Sequence, residues 1–493
     1  MTARRLLLCS SLALSTLAAC SRTPTLDDAT VPGSIRALDL SELDQLDQLD
    51  QADLTVVWLR EAQLDQPDPE RRAAIVERLR ESGPAGLDAL IREYHSVSER
   101  PLAEDAAWRA LIDEVAGQRD AIYGGLFWQR DMQTALAQAE ASGKPVLSLR
   151  LLGELTSEYS CANSRLFRTL LYADPELATW LEANFVLHWS SERPVPRVEI
   201  DFGDGRVVER TITGNSAHFV LDASGRTIDV IPGLWSAPSF RAALEDSLSL
   251  HGQLAAVKGG RRWRDALADH HERRFATAAK QLNDELSRAR GEPQDLVATR
   301  TWLAGPANPR SADEPVPALA AVPMAIGKSA IERPILAAAP GVLGGANARL
   351  VPAVAAPIGP RDDLERLVIG ARVAGRFALH PNTLAIIAAE RPLEGLVPED
   401  QRADVQDQLL LALRVSIQQD TAKNALELHP RVNAELAARA RGGRSLGFAD
   451  VDEWVYAQLF ETPAEDPWLG LVNPTVYTGL VDGGVVAPAP GNR

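Results

Sequence analysis

Cysteine is scarce in this chain of 493 residues, which has only Cys9, Cys20 and Cys161. Three cysteines so far apart in sequence cannot build the disulfide framework of a small secreted domain. Long apolar runs are absent too: the longest, Leu6 to Leu14, falls short of the ~20 residues a spanning helix needs, and no second candidate follows it. No basic block occurs, and 51 Lys and Arg stand against 67 Asp and Glu, a formal charge of −16. Such a balance argues against nucleic-acid binding and predicts repulsion from anionic lipid surfaces. Neither a phosphate-cradling loop nor a cluster of metal-ligand spacing is found, so no cofactor and no metal is expected. What remains is ordinary for a folded protein: 45% hydrophobic residues in a chain long enough for two or three domains with real cores.

The first twenty residues carry Arg4 and Arg5, the apolar run, and then Leu17-Ala18-Ala19-Cys20. This arrangement resembles a bacterial lipoprotein signal peptide, residues 1–19, cleaved before a lipid-bearing Cys20. The resemblance implies membrane attachment through that lipid, and Ser21, after the lipidated cysteine, implies the outer membrane with the protein facing the periplasm. Removal of the segment takes away two arginines and no acid, leaving 49 basic against 67 acidic residues, or −18. Cys9 leaves with the signal and Cys20 is consumed, so Cys161 is the mature chain's one free thiol and no internal disulfide can form.

Around Cys161 the pattern is that of an α/β unit. Met132, Ala135, Leu136 and Ala139 fall at helical spacing, Gly143 closes that helix, and Pro145 forbids its continuation. Val146 to Leu149 is an apolar run suited to a buried strand. Ser160 is placed to cap a helix with Cys161 in its first turn and Leu166, Phe167, Leu170 and Leu171 on its inner face. Asp174-Pro175-Glu176 starts another helix, with Leu177, Trp180 and Leu181 inward, and Phe185 to Trp189 reads as the next strand. Two further strands, Phe219–Leu221 and Thr227–Ile231, flank the turn Asp222-Ala223-Ser224-Gly225, and Pro238-Ser239 opens a helix.

That order resembles the thioredoxin-like family from about Phe127 to Leu250, on the Gly143-Lys144-Pro145-Val146-Leu147 entry, the Cys-x-x-Ser of Cys161 to Ser164, and the Asn184-Phe185-Val186 strand. Two departures accompany it. Ser164 stands where the family has a second cysteine, and no proline occupies Ser216 or Ala217, where its cis-proline would fall. The resemblance implies that the loop entering the hairpin meets the start of the thiol helix. Cys161 and Ser164 are then the candidate catalytic residues. Asn163, Asn215 and Ser216 are candidate binding groups, and His218 lies on the adjoining strand.

The fold expected is therefore an α/β thioredoxin-like central domain, residues 121–255, with an inserted β-hairpin and helical regions on either side. The hairpin comprises Val198–Phe202 and Arg206–Ile212 around Gly203-Asp204-Gly205; Asp201 and Asp204 resemble the start of a calcium loop that lacks its remaining ligands. A tether spans 20–37 and a helical module 38–120, in which Leu40, Leu43, Leu46 and Leu49 wind around the helix, and Asp44, Asp47 and Asp50 read as a solvated face. A long helix occupies 256–303. Its His270 and His271 point about 100° apart and cannot share a metal as an i, i+4 pair can. Residues 304–360 carry ten of the 32 prolines and read as a linker, which divides off a C-terminal helical domain and tail, 361–493. Its helices are expected at Leu364–Leu379, Val405–Ile417, Val432–Ala440 and Val451–Phe460, with His380-Pro381 a break and His429-Pro430 a helix start.

Two functions of different class fit these residues. In one, Cys161 is a monothiol nucleophile, its thiolate favoured by the helix dipole and reactive toward a thiol substrate; this requires partial exposure. In the other, the unit is a non-catalytic binding or assembly scaffold with a protein partner. The anchor is tested by fatty-acid labelling in cells: the parent chain takes up label and Cys20→Ala does not, whereas equal label on both would remove the assignment.

Overall fold

A computed structural model of the chain describes residues 69–211, 215–304 and 363–464. The signal segment with Cys20, the tether, residues 38–68 of the helical module, Ile212, the linker beyond Ala304 and the tail beyond Ala464 lie outside the described residues.

Three helices come first: α1 (Pro69–Glu81), α2 (Pro84–Ser96) and α3 (Leu102–Ala116). Pro84 opens α2 and Gly117, in left-handed backbone, closes α3, as proline at N1 and glycine after the last turn favour. Leu79, Leu87, Leu90, Ile112 and Val115 are buried. Arg80 of α1 ties these helices to one another and to the segment entering the α/β unit, by donating to the carbonyls of Val115 and Trp128 at 2.5 and 2.7 Å.

The central unit runs α4 (Met132–Ser142), β1 (Val146–Leu151), α5 (Ala162–Leu170), α6 (Pro175–Asn184), β2 (Val186–Ser191), β3 (Arg197–Asp201), β4 (Val207–Thr211), β5 (Ala217–Leu221), β6 (Thr227–Pro232) and α7 (Ala237–Ala255). Its main sheet is mixed and four-stranded, in the order β2-β1-β5-β6. β1 and β2 are parallel, joined through α5 and α6, while β5 is antiparallel to both β1 and β6. β3 and β4 form the separate hairpin. Local chemistry explains the helix ends: Gly143 takes φ 72° at the end of α4, and the Asp174 carboxylate accepts the Glu176 and Leu177 amides at the start of α6.

After the sheet come α8 (Gly260–Arg290), α9 (Leu296–Ala304), α10 (Asp363–Val373), α11 (Pro381–Glu390), α12 (Arg402–Lys423), α13 (His429–Arg441) and α14 (Phe448–Trp454). Wide π turns, Asn424–Leu428 and Val455–Leu459, follow α12 and α14. The expected helix at Leu364–Leu379 ends early, at Val373, with Gly375 in left-handed backbone beyond it. His380-Pro381 is a helix start rather than a break, because the His380 ring accepts the Asn382 amide at 3.1 Å and caps α11. No described helix is long and apolar enough to cross a membrane.

The expected partition into a central and a separate C-terminal domain differs from the packing. One apolar core takes in Leu147, Leu149, Cys161, Phe167, Phe219 and Val230 together with Ile417, Val432, Leu436, Val451, Tyr456 and Phe460. The cause lies in the sheet: every residue of β5 and β6 is buried, so both faces need a covering layer. Helices from both sides of the sequence supply it.

Polar groups lock the same junction. Asp229 of β6 is buried, with one carboxylate oxygen accepting from the Val230 amide at 2.8 Å and His429 Nε2 at 2.9 Å, and the other from Ser247 Oγ at 2.8 Å. Burial pushes this carboxyl up, but His429, His271 and the Ser247 hydroxyl outweigh it and hold Asp229 well below the usual range. His271 meets two oxygens, Asn433 Oδ1 at 2.7 Å and the Ile228 carbonyl at 2.9 Å. Since Asn433 Nδ2 donates to the His429 carbonyl, its oxygen must face the ring. Two oxygens thus face the ring nitrogens, which orients the ring, and burial pushes the His271 pKa down.

At the seam, Gly233 has φ 68°, and a Cβ there would come within 2.5 to 2.9 Å of the Asn424 side chain. Asn424 in turn donates to the Leu234 carbonyl at 2.6 Å.

Candidate functional site

The thiol lies where β1 has ended and α5 begins. Cys161 is itself the N-cap residue, at φ −60° and ψ 155°, so it sits one position outside the first turn expected for it. Ser160 does not cap: its hydroxyl is buried without a hydrogen-bond partner among the described residues. Cys161 has 0% exposure, which removes the partial exposure that the nucleophile reading requires.

Three of the sequence-picked residues converge. Cys161 Sγ lies 3.3 Å from Ser164 Oγ and 2.8 Å from Ser216 Oγ. Ser164 gives its own proton to the Cys161 carbonyl at 2.8 Å. The Ser164 oxygen can therefore accept the thiol proton, leaving Ser216 to donate to sulfur. This arrangement satisfies a neutral thiol without any outside group.

Asn215 is adjacent but turned toward the C-terminal segment. Its Nδ2 donates to Thr462 Oγ1 at 3.0 Å, and its carbonyl accepts from Tyr456 OH at 3.2 Å. Asn163 is buried and lines a small cavity with Gly233, Leu234, Asn424 and Phe460. His218 is directed elsewhere: its Nε2 is 2.5 Å from Tyr172 OH, and its ring lies 4.7 Å from that of Phe167 and 4.8 Å from that of Phe240. Burial lowers its pKa to about 3, so it is neutral and part of an aromatic packing unit.

Sequence reasoning missed the groups that close the site. Tyr456, Phe460 and Thr462 come from the C-terminal segment, and all three are buried. Arg150 of β1 reaches the same segment, donating to Asp452 at 2.9 Å, Glu192 at 2.6 Å and the Ser191 carbonyl at 2.8 Å. The hairpin is fastened to the rim, since Thr211 Oγ1 donates to the Ser160 carbonyl at 3.2 Å and accepts from Arg165 at 2.9 Å. Among the described residues no group of three or more His, Cys, Asp or Glu side chains is arranged to hold a metal ion.

No family model, curated protein or solved structure matches the chain.

One arginine facing two carboxylates leaves an excess acid in a largely buried place. Burial raises the Asp452 pKa, Arg150 opposes that, and Glu192 adds to it, with the result at about 7. The folded chain thus keeps a proton that an ordinary aspartate, at 3.8, has lost. Its contribution to stability is complete below about pH 4 and is lost as pH rises through about 7. Urea titrations of the parent and Asp452→Asn should show the variant gaining on the parent from about pH 4 to 8. A difference that stays constant over that range contradicts this assignment.

Proposed function

We propose that the chain is an envelope-anchored lipoprotein whose thioredoxin-like unit serves as a non-catalytic binding or assembly scaffold. The lipid on Cys20 holds it to the outer membrane, facing the periplasm. The strand order β2-β1-β5-β6 supports the thioredoxin-like reading, as does a cysteine at the start of the helix that follows β1. One observation carries the choice of scaffold over monothiol catalyst: Cys161 has no exposed surface, and its sulfur is hydrogen-bonded to Ser164 and Ser216.

A thiol works as a nucleophile only when a partner's sulfur can approach it, and here that approach is taken by the chain's own C-terminal residues. The same cysteine serves packing well, since a satisfied thiol behaves as a small apolar group. A scaffold also makes sense of the absent second cysteine, because a binding role needs no dithiol couple.

The test is native thiol reactivity. With residues 1–20 removed, Cys161 is the sole cysteine. Its reaction with an aromatic disulfide reagent should be at least about a hundred-fold slower in native buffer than in denaturant, because reaction waits on opening of the structure. Prompt reaction of the native protein would overturn the scaffold reading in favour of the monothiol one.

A further inference from the structure

A cavity of about 480 Å³ opens between the end of α2, the start of α3, the turn Ala121–Tyr123 and the start of α11. Sites for small molecules span ~300–1,000 Å³, so the volume is sufficient for one. None of its lining residues belongs to the thiol site. Asn382 fixes one wall: its Nδ2 donates to the Tyr123 and Ala173 carbonyls at 3.2 and 3.0 Å, which leaves its amide oxygen to accept from another group.

Arg100, on the same cavity, carries a charge that the fold leaves unbalanced. Its side chain is 5% exposed, and its guanidinium lies 4.6 Å from the centre of the Tyr94 ring and 5.1 Å from that of Trp108, which hold it in place. Its Nη atoms donate to the Val97 and Glu93 carbonyls at 3.2 and 3.3 Å, contacts that fill hydrogen bonds without cancelling the charge. Its Nε is buried with no hydrogen-bond partner among the described residues, and Glu104 stops 3.7 Å short of it. Asp105, the one acid lining the cavity, is engaged elsewhere: Oδ1 accepts from Tyr94 OH at 2.5 Å and Oδ2 from Arg109 Nε at 2.7 Å, while Arg109 Nη2 donates to Tyr94 OH at 3.0 Å. Each Asp105 oxygen retains a lone pair for one further donor.

We infer that this cavity is a binding site for a small hydroxylated organic anion, of the class of a sugar acid or sugar phosphate. Arg100 takes the carboxylate or phosphate, giving it charge-assisted hydrogen bonds and receiving the countercharge that a buried cation needs. Hydroxyl groups on the body of the molecule donate to Asp105 and to the Asn382 oxygen. A largely apolar ligand is a poor match, because Val97 and Ile122 are the only aliphatic residues in the lining.

The test is calorimetric titration of the full-length protein at constant ionic strength, with glucuronate, glucose 6-phosphate and glucose as probes. At least one of the two anions should bind, at least about ten-fold more tightly than glucose, because only the anions meet Arg100 in kind. Arg100→Gln should weaken that binding at least about ten-fold. Val97→Trp, which fills the cavity from a position that is 47% exposed and outside the core, should abolish it. Melting curves establish that each variant is folded, and should Arg100→Gln not fold, Val97→Trp decides. Failure of both anions to bind the parent, glucose binding as tightly as they do, or unchanged affinity in either folded variant overturns the inference.

Discussion

A buried carboxylate sets the terms for this fold. Asp229 lies in β6 with no access to water, and an ionised acid in such a place is tolerable only when its lone pairs are filled and its charge is balanced. The Val230 amide and Ser247 of α7 provide part of that. The remainder comes from His429, two hundred residues away in sequence, and from the neighbouring His271 imidazole. β6 therefore cannot be left as an edge for a separate domain to approach loosely. With α13 in place, the residues after it are carried over the end of the sheet, to where the thiol lies.

That placement makes the thiol site a consequence of core formation. β1 supplies Arg150, which fixes Asp452; the turn before β5 supplies Asn215, which fixes Tyr456 and Thr462; and the space between is filled by Phe460. Each contact is ordinary in strength, with a neutral hydrogen bond contributing about 1 kcal/mol. Together they exclude solvent from Cys161. The Arg150–Asp452 contact is conditional on the charge state of Asp452, whereas the neutral and apolar ones are not.

Much of the central unit was legible in the sequence because its signals are local. Gly143 after α4, Asp174 before α6, and the Asp222–Gly225 turn each act within four residues, and each is found where the pattern puts it. The meeting of Cys161, Ser164 and Ser216 was legible only by analogy with a known arrangement, since Ser216 is 55 residues from the thiol. The cap was misassigned because Ser160 and Cys161 are adjacent, and nothing in composition says which of them leaves the helix. His218 was placed on the right strand, but which side chain it would meet depends on Tyr172, Phe167 and Phe240, from other elements. The closure of the site could not be read at all. The Asn215–Thr462 and Arg150–Asp452 contacts span 247 and 302 residues, and the proline-rich stretch between their elements reads as a boundary although the core crosses it.

The central claim is that the sheet and the C-terminal helices form one body. It is tested most directly by a specific protease site placed at residue 330, cleaved in the folded protein and followed by size exclusion. The two fragments should elute together in native buffer and separate only in denaturant, because the core they share is not cut. A C-terminal fragment that elutes alone and folded in native buffer would contradict the account.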